Sequence, residues 1–168
     1  MKTLNDIKKI AVLGAGTMGP GIAQMFAMGG YEVTMWTRRE STREQAIKTL
    51  RKSLETFVEE DLLPASQLEE VFNRVNFAYT VEDAVKGANF IQETIVENKE
   101  AKIELYAKLE ACASKDCIIA SNTSGLNIFE LVPESLLPQM VIAHWYAPPY
   151  LIPLVEVVKS EQAPQEYA

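Results

Sequence analysis

Three glycines in Gly14-Ala-Gly16-Thr-Met-Gly19, directly after a short apolar run, constrain the fold of this chain more than any other feature. Glycine-rich turns occur in many folds, so the spacing alone is a weak signal. The flanking residues make it specific. Residues 7–13 form an apolar run with Lys8 and Lys9 near its start, which suits a strand buried on both faces. From residue 17 to 28, Met18, Ile22, Met25, Phe26 and Met28 recur at three- and four-residue steps. Pro20 falls in the first helical turn, where its missing N–H costs nothing, and Gly29-Gly30 closes the helix. Residues 32–36 then read as a second strand. In such a strand–turn–helix–strand unit Gly14 permits the tight turn, Gly16 lets a pyrophosphate approach the backbone, and Gly19 lets the helix pack closely. Thr17 and Met18 stand at the helix N-terminus, whose free N–H groups and positive dipole end attract phosphate. The implied ligand is a nicotinamide dinucleotide.

The rest of the chain alternates in the same way. A long helix is expected over residues 40–60, and a second after Pro64, where Ser66 and Glu69 have capping-box spacing. Residues 76–79, 90–93, 117–120, 140–143 and 154–158 read as strands, and residues 81–85 as a short helix before a turn at Gly87. Asn98 is placed to cap a helix running to residue 113. Ala147-Pro-Pro-Tyr-Leu-Ile-Pro153 is a bend between the last two strands. The fold class is therefore α/β: a doubly wound, Rossmann-type, mostly parallel sheet with a helical pair inserted after the second strand. One dinucleotide-binding domain is expected over residues 1–160, and residues 161–168 read as a linker stub or frayed tail.

A net charge of -7 over 168 residues removes the basic footprint that nucleic-acid binding needs. Residues 1–6 have no apolar signal core, and no run approaches a membrane span. A soluble, cytoplasmic protein without a membrane partner is expected. Cys112 and Cys117 read as packing residues, and neither a disulfide nor a metal site is expected.

Two stretches carry chemistry. In NAD-binding versions of this fold an acidic residue ends the second strand and accepts hydrogen bonds from the ribose. Here that strand ends Trp36-Thr37-Arg38-Arg39, with no carboxylate to repel a ribose phosphate and two guanidinium groups able to bind one. The cofactor is NAD or NADP, with NADP favoured; the alternative is that Arg38 and Arg39 only open the next helix. His144, the sole histidine, ends the apolar run of residues 140–143, and Glu156 lies inside Leu154-Val-Glu-Val-Val158, where a buried carboxylate needs a partner. A return through the proline bend would join them in a buried pair, which fixes the imidazole tautomer and raises its basicity. The alternative for Glu156 is a solvent-facing place on an edge strand.

These segments resemble the 3-hydroxyacyl-CoA dehydrogenases and their short-acid relatives over nearly the whole chain. The match runs through Gly14-Ala-Gly-Thr-Met-Gly19, Glu93-Thr-Ile-Val-Glu-Asn98, Ala120-Ser-Asn-Thr-Ser-Gly-Leu126 and Pro153-Leu-Val-Glu-Val-Val158. The resemblance implies that His144 is the catalytic base, Glu156 its carboxylate partner, and Ser124 the hydroxyl that bonds the substrate oxygen beside the nicotinamide. It places Glu97 and Lys102 on the cofactor side of the cleft, and Asn122 with the cofactor contacts.

Three positions depart from the family pattern. Thr37 stands where aspartate is usual, and Ala147 where an asparagine usually precedes the proline. Glu59 and Glu60 lie near a lysine that contacts CoA in the acyl-CoA enzymes, and an acidic patch there repels CoA phosphates. Pro148-Pro-Tyr150 is more like the short-acid relatives. The resemblance also implies a helical second domain after about Ser160, absent from this chain, and a homodimer when that domain is present. The expected function is the cofactor-binding part of a dehydrogenase of fatty-acid-type metabolism that acts on a 3-hydroxy acid or its CoA thioester. The rivals are a dinucleotide-binding module without turnover and an NADP-dependent reductase with a lysine base.

Overall fold

The computed structural model describes residues 6–167; the segment read as lacking a signal core lies outside them except for Asp6. Among the described residues seven strands form one sheet: β1 (Lys9–Leu13), β2 (Glu32–Trp36), β3 (Val75–Ala78), β4 (Phe90–Glu93), β5 (Ile118–Ser121), β6 (Met140–Trp145) and β7 (Val155–Lys159). Their order is β3-β2-β1-β4-β5-β6-β7. All neighbours are parallel except β6 and β7, which run antiparallel through the proline bend. The doubly wound α/β reading therefore holds, including the helices inserted after the second strand.

Alternation along β1 separates the two layers. Ile10 and Val12 face α1 (Gly19–Met28), α2 (Glu40–Glu59) and α3 (Leu68–Asn73), packing with Ile22, Ala27, Leu50 and Leu54. Ala11 and Leu13 face α4 (Val81–Val85) and α5 (Lys99–Cys112), packing with Val85, Leu105 and Leu109. β1 is apolar on both sides after Lys9, as a strand covered on both faces requires. Cys117 lies in the second core and Cys112 packs against it.

Several local expectations need correction. β1 starts at Lys9 because the Asn89 side-chain oxygen accepts from the N–H groups of Lys8 (2.9 Å) and Lys9 (3.1 Å), tying the entering chain to the β4 end of the sheet. Ser66 and Glu69 do not form a capping box. Ser66 lies within a single 3-10 turn (Ala65–Gln67), Gln67 precedes α3 without a side-chain cap, and Glu69 reaches across to Arg51 of α2 instead. Asn98 does cap α5, accepting from the Ala101 N–H at 2.8 Å.

Part of the segment after β7 packs on the domain. Ser160 and Ala163 are buried, Ser160 donates to the Leu137 carbonyl, and Lys159 donates to the Ala163 carbonyl at 3.0 Å. These small residues fit under the loop before β6, which a polar composition does not reveal. No helix among the described residues is long and apolar enough to cross a membrane.

Candidate active site

The strand order switches between β1 and β4, which are parallel neighbours, and open α/β sheets bind ligands outside the carboxyl ends of their strands at that switch. A cleft of about 360 Å³ lies there, walled by Gly14–Gly16 after β1, by Trp36–Arg39 after β2, and by Thr94–Val96 after β4. Gly14 has φ +126°, and a Cβ added to it would come within 2.6 Å of the Thr94 carbonyl oxygen. A Cβ on Gly19 would come within 2.0 Å of the Gly14 carbonyl oxygen, so the turn and α1 pack too closely for any side chain at either position. At Gly16 a Cβ would meet no protein atom within 4 Å. Gly16 is exposed and faces open space beside the N-terminus of α1, which leaves bare backbone accessible to a pyrophosphate. Thr17 is exposed, and Met18 is half-buried as the residue before α1.

At the β2 end of the cleft, Thr37 is buried, and its hydroxyl donates to the Arg39 carbonyl at 3.2 Å within its own turn. Arg38 and Arg39 are exposed and line the cleft, as do Glu104 and Lys108 from α5. Lys108 bonds Glu104 at 2.9 Å and, with a further contribution from Arg38, holds the Glu104 carboxyl below its ordinary range. Sequence reasoning missed Thr42, Glu104 and Lys108. A cation one turn from Glu104 on a helix reads as an ordinary surface pair, and nothing local shows that this face lines a cleft.

The wall between β4 and β5 is built on a buried carboxylate. Glu93, at the end of β4, is fully buried and accepts five hydrogen bonds. The Lys102 ammonium donates to both oxygens, at 2.7 and 2.8 Å; the Ile95 N–H donates at 2.8 Å, the Tyr106 hydroxyl at 2.9 Å and the Ser121 hydroxyl at 2.5 Å. Burial pushes the Tyr106 phenol far above its usual range, so it serves as a donor here. Lys102, expected on the cofactor side of the cleft, is only 1% exposed and lies beneath the wall in this cluster. Its ammonium is engaged by the interior carboxylate of Glu93 and faces Glu97.

Glu97 lies 3.4 Å from the same ammonium and accepts from the Thr123 hydroxyl (2.5 Å), the Ser124 N–H (3.0 Å) and the Gly125 N–H (3.2 Å). Partial burial opposes its charge, but these bonds and Lys102 outweigh it and hold the carboxyl below its ordinary range. Asn122, expected among the cofactor contacts, is likewise engaged inside the protein. Its Oδ1 accepts from the Trp145 N–H at 2.8 Å, and its Nδ2 donates to the Thr94 hydroxyl at 3.3 Å. Trp145 is held a second time by its indole N–H, which donates to Gln92 at 3.1 Å.

These contacts fix the end of β6 and hence its neighbour His144. His144 and Glu156 face each other across the β6–β7 ladder, with imidazole Nδ1 2.8 Å from the carboxylate. The pair expected from the sequence forms, but it is not buried: the side chains are 24% and 56% exposed. β7 is an edge strand exposed at residues 156–158, so its apolar run does not imply burial. The bond from His144, followed by one from Tyr146, holds the Glu156 carboxyl below its ordinary range. With Nδ1 held by the carboxylate, Nε2 is the nitrogen left to exchange a proton. Ser124, exposed, shares with His144 and Glu156 an open groove of about 640 Å³, walled also by Asn127 and Val158.

The sequence profile of the family described as "3-hydroxyacyl-CoA dehydrogenase, NAD binding domain" matches residues 9–168. A probable 3-hydroxybutyryl-CoA dehydrogenase of Bacillus subtilis is 36% identical, over 97% of this chain and 57% of that protein. A 5-formyl-3-hydroxy-2-methylpyridine 4-carboxylate 5-dehydrogenase of Mesorhizobium japonicum is 35% identical, over 96% of this chain and 52% of that protein. Among solved structures, 3-hydroxybutyryl-CoA dehydrogenase from Escherichia coli superposes with a TM-score of 0.88 at 25% identity, covering 96% of this chain and 34% of that one. The chain spans 52% and 57% of the length of the two curated relatives.

Proposed function

Since the chain belongs to the 3-hydroxyacyl-CoA dehydrogenase family, through its NAD-binding domain, we propose that it binds the dinucleotide and carries the proton-transfer residues for interconverting a 3-hydroxy acid, or its CoA thioester, with the 3-oxo compound. The observation that carries this reading is the His144–Glu156 pair, set in one groove with Ser124. Gly14, Gly16 and the N-terminus of α1 would hold the pyrophosphate, and Thr37 and Arg38 the adenosine ribose. A nicotinamide held there would supply the hydride acceptor for oxidation of the carbinol carbon and the hydride donor for the reverse. His144 Nε2 takes the hydroxyl proton in oxidation and returns it in reduction, while Glu156 stabilises the imidazolium. Ser124 bonds the substrate oxygen and fixes its distance from the imidazole. Glu59 and Glu60, exposed at the end of α2, would repel CoA phosphates and so weaken the thioester reading.

The cofactor we assign is NADP. No carboxylate stands at Thr37, and Arg38 is exposed at the cleft. A charge-assisted bond to a 2′-phosphate is worth about 10- to 150-fold in affinity when fully formed, and about several-fold once solvent and salt screen it. Competitive titration of NADP and NAD at fixed ionic strength checks this. NADP should bind more tightly, Arg38→Ala should remove most of the preference, and Thr37→Asp should reverse it. A wild-type preference for NAD would overturn the assignment. The same titration with Gly16→Val tests the dinucleotide site itself, since the added side chain occupies the space for the pyrophosphate and should abolish binding in a folded protein. Tight dinucleotide binding without any hydride transfer in the intact protein would favour a sensing module instead.

A further inference from the structure

We infer that Glu93 is a positioning residue that holds the Ser124 loop in register with the cofactor wall; this rests on the oxidoreductase reading above. Glu93 lines neither the cleft nor the groove. Its bonds nevertheless reach both. Oε1 accepts from the N–H of Ile95, a residue of the cofactor wall. Oε2 accepts from Ser121, whose hydroxyl oxygen in turn accepts from the Thr123 N–H at 3.3 Å, at the start of the serine loop. The Glu93 backbone carbonyl accepts from the Asn122 N–H at 2.8 Å. Lys102, bound to both Glu93 oxygens, also faces Glu97, which holds the Ser124 and Gly125 N–H groups.

One interior carboxylate therefore sits at the junction of two loops that must keep a fixed distance for hydride and proton to leave the same carbinol. Misplacement of a substrate-positioning group by about 1 Å can cost about a hundredfold in rate. Chain connectivity alone does not supply that register, because residues 94–96 and 122–125 leave different strands. A carboxylate is suited to the junction because all its neighbours are donors, and it can accept from all of them at once.

Glu93→Gln separates the two arms. A glutamine with its oxygen at the Oε1 place keeps the Ile95 bond and spares the cofactor wall. Its amide nitrogen then meets the Lys102 ammonium as well as the Tyr106 and Ser121 hydroxyls, so Lys102 keeps only the remaining oxygen and Glu97 as acceptors, and Ser121 must turn its proton away. Ser121→Ala is the second variant, because it removes the relay to Thr123 and leaves the Glu93–Lys102 pair intact. Three quantities are read in the intact protein: amide hydrogen exchange, the dinucleotide dissociation constant by calorimetry, and kcat.

Exchange at Thr123, Ser124 and Gly125 should accelerate about tenfold while the amides of β1 stay unchanged. The value of kcat should fall about tenfold or more, with the dinucleotide dissociation constant within about threefold of wild type. Unchanged exchange at the serine loop in both variants overturns the proposal. So does a uniform acceleration across the sheet in Ser121→Ala, which keeps the Glu93–Lys102 pair and so would mark a purely structural relay, and so does a loosened loop with unchanged kcat. A wild-type protein that bound no dinucleotide would sink the oxidoreductase reading, while the exchange data would still decide whether Glu93 holds the loop.

Discussion

Glu93–Lys102 and His144–Glu156 are both carboxylate–nitrogen pairs formed on one sheet, with closest approaches of 2.7 and 2.8 Å. The first lies between the central strand β4 and α5, with side chains 0% and 1% exposed and both carboxylate oxygens filled by donors. The second spans the outer ladder, with side chains 24% and 56% exposed. Distance does not separate them; surroundings do. A fully buried pair must stay bonded, because each member stranded alone is costly. A pair open on one face keeps a nitrogen available to exchange protons. The protein thus uses the same contact for anchoring in the interior and, on our proposal, for chemistry at the edge.

The largest effect that tests this contrast is on stability. Lys102→Met leaves the Glu93 carboxylate buried without a cation, and should cost about 3–5 kcal/mol in chemical denaturation. A loss near zero would mean that the interior pair is not an anchor. Glu156→Gln should have the opposite profile: turnover down about ten- to a hundredfold, with an unchanged unfolding midpoint. An unfolding midpoint lowered as far as that of Lys102→Met would erase the distinction.

The smallest effect sharpens the comparison through Glu97, which belongs to both environments. Its folded carboxyl titrates below its ordinary value, so its stabilising contribution is complete above about pH 4.5 and is lost as pH falls through the lower folded value. Wild type should exceed Glu97→Gln by about 1 kcal/mol or less near neutrality, given its partial exposure, and the gap should close in acid. A gap that widened in acid would reverse the sign of that account.

What the sequence revealed follows the same division. The glycine turn and the Thr37-Arg38 strand end were legible because their chemistry is local: spacing, a missing carboxylate and a helix start are all read within a few residues. The His144–Glu156 pairing was legible from a strand, a proline bend and a returning strand. Its exposure was not, since an apolar run reads the same in a central strand as in an edge strand. The roles of Glu93, Lys102 and Asn122 stayed hidden for a different reason. Their partners come from β4, α5, β5 and β6, and only the folded topology brings these together. A partial signal existed: the strand 90–93 ends in Gln92-Glu93, and Lys102 and Tyr106 share one face of the following helix.

The most direct test of the account is His144→Ala in the intact protein, with hydride transfer, dinucleotide affinity and unfolding midpoint measured on the same preparation. Formation of reduced nicotinamide from the 3-hydroxy acid should slow by about a hundred- to ten-thousandfold. The dinucleotide dissociation constant and the unfolding midpoint should stay at their wild-type values. A variant that kept its hydride-transfer rate, or that lost the rate only by unfolding, would contradict the assignment of His144 as the proton-transfer residue.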